Sequence, residues 1–338
     1  MLICKYTPPT GTNAPAIDVT DYVARYTWSG DADQAARKLD FDIAYNSPVK
    51  DAGFVNLDLQ LGGSIALSYI DDAGNAAEIF NGRIFWRKRN TGGYTMGFTA
   101  YDNMIYLAKN KVHMVFNNLA ASAVIRQVCN EIGIPYANNN PDLPTVINYI
   151  ADGKSCTEVI RMALDKVEAD TGKSYSAVSI NGEITIVQHG TVVENYLASD
   201  LTNVIESEHS EGYENMVNRV KLVDEHGNLV KTITATEYQE RYGTLQDVYK
   251  MQPPKEGESV DNLKAAKYRL KFLDNDSRVK ALGNIQCITG YAINIMEEQL
   301  EGTFLIKSDT HTFEGNQHTM DLVLSYMPGT AKPALSYS

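Results

Sequence analysis

Asn81-Gly82-Arg83-Ile84-Phe85-Trp86, a loop, and then Tyr94-Thr95-Met96-Gly97-Phe98-Thr99 have the pattern of a β-hairpin. A glycine opens one strand, and a Thr-Met pair opens its return. The same scheme recurs near the other end of the chain as Glu301-Gly302-Thr303-Phe304-Leu305-Ile306, a longer loop, and His318-Thr319-Met320-Asp321-Leu322-Val323. A further glycine-led strand precedes each copy, at Gly63–Tyr69 and Gly290–Met296. The repeated unit therefore reads as a three-strand meander, and two related β-units in one chain suggest quasi-symmetric assembly before catalysis.

The rest of residues 1 to about 101 reads as short strands with glycine-rich punctuation, the pattern of a barrel or sandwich. Leu39, Phe41 and Ile43 alternate with Lys38, Asp40 and Asp42, as in a half-buried strand. The strand pair around Asp71-Asp72-Ala73-Gly74-Asn75 has the composition of a hairpin.

After Tyr101 the character changes. Val124, Ile125, Val128 and Ile132 are spaced for one helix face, stopped by Gly133 and Pro135. Ser155-Cys156-Thr157-Glu158 matches a capping box, and Val159, Ile160, Ala163, Leu164 and Val167 form the apolar stripe behind it, with Gly172 placed to end the helix. Asn181-Gly182 signals a two-residue hairpin. β-character returns from Asn215, with a hairpin around Asp224–Asn228 and a helix starting at Glu258 or Ser259 and running through Leu273. Pro328–Ser338 reads as a loose tail.

The expected fold class is thus mainly β with α+β insertions: two tube-like β-barrel domains, 1–108 and 211–327, the second with an inserted helix, connected by a small α+β module at 109–210 and followed by a flexible tail at 328–338.

Composition narrows the function. The chain has 338 residues, 43% hydrophobic and 21% charged, ordinary for a globular protein of two or three domains. A net charge of −12 argues against general affinity for nucleic acid or anionic lipid. The beginning of the chain carries no signal-peptide pattern, and no apolar run reaches membrane-spanning length. Cys4, Cys129, Cys156 and Cys287 stand far apart, which reads as buried thiols in a reducing compartment. The 20 Tyr against 9 Phe and 2 Trp suit surfaces that become interfaces, or simply strands.

Catalytic signatures for a nucleophile elbow, a phosphate loop, a dinucleotide fold or a zinc protease do not occur in the sequence. His311, Glu314 and His318 come nearest to a metal cluster, but their spacing fits no common ligand pattern. Asp71, Asp72, Asn75 and Glu78 lack the spacing of a calcium loop. No metal and no cofactor are assigned. Asp40 and Asp42 share a strand face and could act as the acid pair of a polysaccharide hydrolase, although exposed-face polarity accounts for them more simply. Exposed Tyr and Trp86 could equally serve a host-surface carbohydrate-binding module. The main basic cluster, Arg83, Arg87, Lys88 and Arg89 beside Trp86, is the candidate partner-docking site, and Glu194–Glu214 is an acidic run free of Lys and Arg that could complement a basic partner.

The order of these elements resembles the baseplate hub proteins of contractile phage tails, particularly the XkdQ/YqbQ type. The residues that carry the resemblance are Ile17–Val23, Tyr26–Gly30, Thr99–Asp102 leading into Tyr106–Asn110, Glu131–Pro135, Glu214–Val220, Glu240–Gly243 and the Thr303–Leu324 hairpin. Each is structural and unspecific alone; their order is the specific part. The resemblance implies a non-enzymatic hub without a fused cell-wall hydrolase. Three copies would present six similar barrels and join a sixfold tail tube to a threefold central spike. Other baseplate proteins and the tape measure protein would be further partners. It also implies assembly in the bacterial cytoplasm and residence in the tail tip of a phage or bacteriocin particle. An acidic lumen would let cargo slide without specific nucleic-acid binding.

Overall fold

The computed structural model describes residues 1–9, 15–46, 53–71, 73–89, 93–251, 262–298 and 300–327. The predicted tail at 328–338, Asp72 and the start of the helix expected at 258–259 lie outside these residues. The chain forms two compact units, one from Met1–Ser207 together with the segment from Arg278 onward, the other from Glu208–Ser277.

The larger unit is mainly β, built on a sheet of thirteen strands. Eight of these run side by side in the order Leu2–Thr7, Ser64–Ile70, Ala76–Arg89, Thr95–Asp102, Lys38–Ala44, Val23–Asp31, Glu301–Glu314 and Gln317–Tyr326, each antiparallel to the next. The first and last β-segments of the chain therefore share one sheet, because Glu301–Glu314 pairs with Val23–Asp31 from Ser308↔Asp31 to Glu314↔Arg25. Among the described residues the strands follow an open path and close no barrel.

Both expected meanders are present. Ser64–Ile70, Ala76–Arg89 and Thr95–Asp102 form the first; Ala292–Met296, Glu301–Glu314 and Gln317–Tyr326 form the second. Each carries a bulge between its second and third strands, and the first has another at Ile79, between Leu67↔Phe80 and Ser68↔Glu78. Ile84 faces Ala100 and Trp86 faces Thr99, leaving Phe85 extra; Ile306 faces Leu324 and Ser308 faces Val323, leaving Lys307 extra.

Matching the bulges puts Thr95-Met96 and Thr319-Met320 in register, as the sequence suggests. Gly82, however, matches Phe304 rather than Gly302, a slide of two residues that keeps the side chains on their faces. The two glycines also answer different needs. A Cβ on Gly82 would lie 2.2 Å from the Tyr101 carbonyl oxygen, whereas Gly302 has open space but a φ of +131°.

Between the meanders in sequence, the helices Ala121–Glu131 and Cys156–Thr171 pack Val124, Ile125, Val128, Val159, Ile160 and Leu164 into one core. The capping box forms: the Ser155 hydroxyl accepts from the Glu158 amide at 3.2 Å, and the Ser155 amide donates to the Glu158 carboxylate at 2.8 Å. Gly172 closes the helix at φ 73°. Asn181-Gly182, both at positive φ, turn the hairpin Tyr175–Gln188. Lys111–Ala120 also pairs antiparallel with Val146–Ser155, across a connection that holds the helix Ala121–Glu131 and that no turn motif in the sequence marks. All four cysteines are buried and free.

In the smaller unit, Arg219–Val223 pairs antiparallel with Leu229–Thr234 and parallel with Gln246–Lys250. Val220, Leu222 and Ala266 form its core. The buried Asn218 amide donates to the Gly243 carbonyl at 2.7 Å and accepts from the Leu245 amide at 3.0 Å, so its polarity is satisfied. The inserted helix spans Asn262–Lys267 and ends before the expected Leu273, because the chain turns to let Lys271 exchange both backbone hydrogen bonds with Val217.

Candidate docking face and the buried clamp behind it

The basic cluster lies on the long strand Ala76–Arg89, and the Phe85 bulge decides which side of the sheet each member after it takes. Side chains alternate along a strand, so without the bulge Trp86 would follow Ile84 into the core. The extra residue reverses the alternation. Arg87 then pairs with the buried Phe98, while Trp86 and Lys88 share the outward face with Thr99 and Gly97. Trp86 is 52% exposed and Phe85, resting against Tyr101 and Tyr106, is 41% exposed.

The cluster is spread rather than compact. Arg83 donates to the Gly62 carbonyl at 2.9 Å. Arg87 lies 3.9 Å from Asp58, an exposed pair of little energetic weight. The Arg89 guanidinium sits 4.3 Å above the Tyr45 ring. Trp86 and Lys88 line a groove of about 380 Å³ with Arg25, Thr27, Asp40 and Asp42. Asp40 bonds Lys38 at 2.8 Å and the Thr99 hydroxyl at 2.6 Å, which ties it into the sheet surface. Arg25 and Thr27, which complete this face, were not singled out from the sequence because they arrive from the strand Val23–Asp31, two strands beyond Thr95–Asp102.

On the opposite, buried side a polar clamp joins the two ends of the chain. Both terminal nitrogens of Arg37 bond the two carboxylate oxygens of Asp309, with Nη1 to Oδ1 at 2.9 Å. Asp309 also accepts from the Thr289 amide and hydroxyl, each at 2.6 Å. The guanidinium stacks 4.1 Å from the Trp28 ring, and Gly30 leaves room for it. Burial pushes the Asp309 carboxyl up, but the Arg37 charge and these hydrogen bonds outweigh it, so it titrates below its ordinary value.

The clamp extends through two imidazoles. His311 Nε2 lies 3.1 Å from the Cys287 carbonyl, which only accepts, so the proton sits on Nε2. His311 Nδ1 then accepts from His318 Nε2 at 3.0 Å. Burial lowers His311 to about 4 and, with His311 beside it, His318 to about 3. Both are neutral near pH 7. Glu314, third member of the weighed metal set, is exposed at the hairpin end and bonds into this pair nowhere. Asp102, at the end of Thr95–Asp102, accepts from the Arg37 and Met104 amides at 3.2 and 3.0 Å, and burial pushes it up to about 7.

Known proteins share this construction. Residues 26–325 match the sequence profile of the YQBQ-like family. Protein YqbQ of Bacillus subtilis (strain 168) is 27% identical over 254 residues, covering 72% of this chain and 77% of its own length. The phage-like element PBSX protein XkdQ of the same organism is 25% identical over 262 residues, again covering 72% and 77%. The 43 kDa tail protein of prophage MuSo2 from Shewanella oneidensis shares the fold, with a TM-score of 0.69 at 11% identity, over 96% of this chain and 97% of that one. The fold is therefore shared with a prophage tail protein, and the chain belongs to the YQBQ-like family.

Proposed function

We propose that the chain is a structural baseplate hub of a contractile tail, forming a trimeric ring with pseudo-sixfold symmetry that joins the hexameric tail tube to the trimeric central spike. The observation that carries this reading is the pair of meanders with bulges in matching register. If each meander belongs to one tube-like domain, 1–108 and 211–327 with the module 109–210 between them, three chains present six similar faces. Family membership and the fold shared with a prophage tail protein support the reading.

The residues equivalent by register have diverged as such an adaptor requires. Arg87 in the first meander corresponds to Asp309 in the second. The first is an exposed cation that a partner can reach; the second is sealed inside the clamp. The Arg83, Trp86, Arg87, Lys88 and Arg89 cluster, with Trp86 and Lys88 on one side of the sheet and Arg87 and Arg89 on the other, is on this reading where the ring or its neighbours dock: the tube, the spike, other baseplate proteins or the tape measure protein. The role is non-enzymatic, and the net charge of −12 suits a lumen that passes cargo without holding it. Among the described residues no helix is long and apolar enough to cross a membrane.

Imaging the assembled particle tests this. Three copies on the tail axis between tube and spike are expected; copies located off the axis would sink the hub reading.

A further inference from the structure

The hairpin of Tyr175–Ile180 and Glu183–Gln188 leaves one strand edge open. Among the described residues Tyr175–Ile180 pairs with Glu183–Gln188 alone. The His189 amide donates to the Ser174 carbonyl at 3.0 Å, and bonding alternates along an antiparallel pair. The backbone groups of Ser176, Val178 and Ile180 therefore face the partner strand, while those of Tyr175, Ala177 and Ser179 face away from it. Beside this edge lies a cavity of about 350 Å³. Tyr175, Ser176, Ala177 and Val178 all border it, as consecutive residues do when a strand presents its edge rather than one face. Ile160 and Leu164 of the helix Cys156–Thr171 and Leu305 of the second meander form other walls. Ala177, Val178 and Leu305 are only half buried.

An open edge beside a partly apolar cavity is a site for one more strand. Asp33 and Asp165 stand on the rim against Arg161 and Lys307, so charge does not select the occupant. Position does. A Cβ on Gly190 would lie 2.5 Å from Met327 Cε, so Met327 rests on Gly190, two residues beyond Gln188, the partner of Tyr175. Eleven residues, 328–338, follow Met327 in the sequence. Extended, they reach about 36 Å, well over the length of a six-residue edge. After Pro333 come Ala334, Leu335, Ser336, Tyr337 and Ser338, each able to donate a backbone hydrogen bond, and Leu335 supplies an aliphatic side chain for the cavity.

We propose that the chain's own residues 334–338 occupy this site, pairing as an added strand with the open edge of Tyr175–Ile180 and placing Leu335 over the cavity. Residues 328–333 bridge from Met327 to the edge. The contact covers an edge that would otherwise recruit a strand from another chain. It goes beyond the hub reading, which needs neither this edge nor these residues.

Amide hydrogen exchange resolved residue by residue by NMR tests the contact. The wild-type chain is compared with a chain stopped after Met327 and with a full-length Leu335→Pro variant, which loses both a donor and the apolar side chain. Tyr175, Ala177 and Ser179 are expected to exchange about tenfold or more faster in both altered chains. Ser176, Val178 and Ile180, bonded to the partner strand, are expected to keep their rates. Should the shortened chain fail to fold by circular dichroism, the Leu335→Pro comparison decides alone. Equal exchange at the three outward amides in all forms overturns the proposal. Protection that disappears on dilution also overturns it, by assigning the edge to a strand from a second copy.

Discussion

Arg37 and Asp309, 272 positions apart in sequence, form a two-pronged ion pair inside the larger unit. Removing one partner strands the other charge in a buried site, which costs about 3–5 kcal/mol, whereas replacing both by apolar groups of similar volume is far milder. Asp309→Leu and Arg37→Met alone are therefore expected to lower unfolding free energy by about 3–5 kcal/mol each. The double variant should lose less than the sum of the two. Urea unfolding of the four forms measures this; additive losses would show that the pair is not a unit.

Acid should weaken the fold well above the ordinary carboxylate range. His311 and His318 titrate in the folded chain at about 4 and about 3, below the ordinary 6.5, chiefly because they are buried. The unfolded chain then binds more protons as pH falls below 6.5, so stability drops, and keeps dropping until the folded values are passed. Asp309, held low by Arg37, adds to the loss below its ordinary value of 3.8. Asp102 acts in the other sense: raised by burial from 3.8 to about 7, it takes up a proton more readily when folded, so stability gains as pH falls from about 7 toward 4. Asp102→Asn removes that opposing contribution. Its unfolding free energy should fall more steeply between pH 7 and 5 than that of the wild type, and equal slopes would refute the assignment.

The two repeat glycines should respond differently to alanine. At Gly82 the new methyl meets a backbone carbonyl at 2.2 Å that cannot swing aside, and overpacking of this sort costs about 1–3 kcal/mol. At Gly302 space is open and the penalty is the strained φ of +131°, of order 1–3 kcal/mol. Gly82→Ala is expected to shift Trp28, Trp86 and tyrosine signals in near-UV circular dichroism by displacing the neighbouring strand. Gly302→Ala should lower the melting temperature with the spectrum unchanged.

Trp86→Ala should leave stability within about 0.5 kcal/mol, as an exposed substitution away from the core does. Its effect should fall on incorporation into particles. A variant as unstable as a core truncation would mean that Trp86 is a packing residue and not a docking one.

Local chemistry was legible wherever neighbours in sequence decide it. Ser155 and Glu158 satisfy each other three residues apart, Gly172 takes the left-handed turn that ends its helix, and Asn181-Gly182 make their hairpin. The meanders were visible too, because alternation and turn glycines repeat along the chain. Distance in sequence concealed the rest. Nothing near Arg37 announces Asp309, and nothing near His311 and His318 announces their burial, which comes from the strand Val23–Asp31 and from Gly283, over which His318 lies. The Phe85 bulge escaped detection because one extra residue changes no composition, only the face on which everything after it falls.

The shared sheet sets a timetable for making the protein. Val23–Asp31 leaves the ribosome early, yet its neighbour Glu301–Glu314 is synthesised some 270 residues later. Until then one edge of the early strand stays open, and Arg37 has no carboxylate to hold. Pairings this remote in sequence close late and fold slowly. A nascent or truncated copy therefore cannot complete the scaffold that orders its outer face, so only finished chains are competent to join a neighbour, and quality control is built into the connectivity itself.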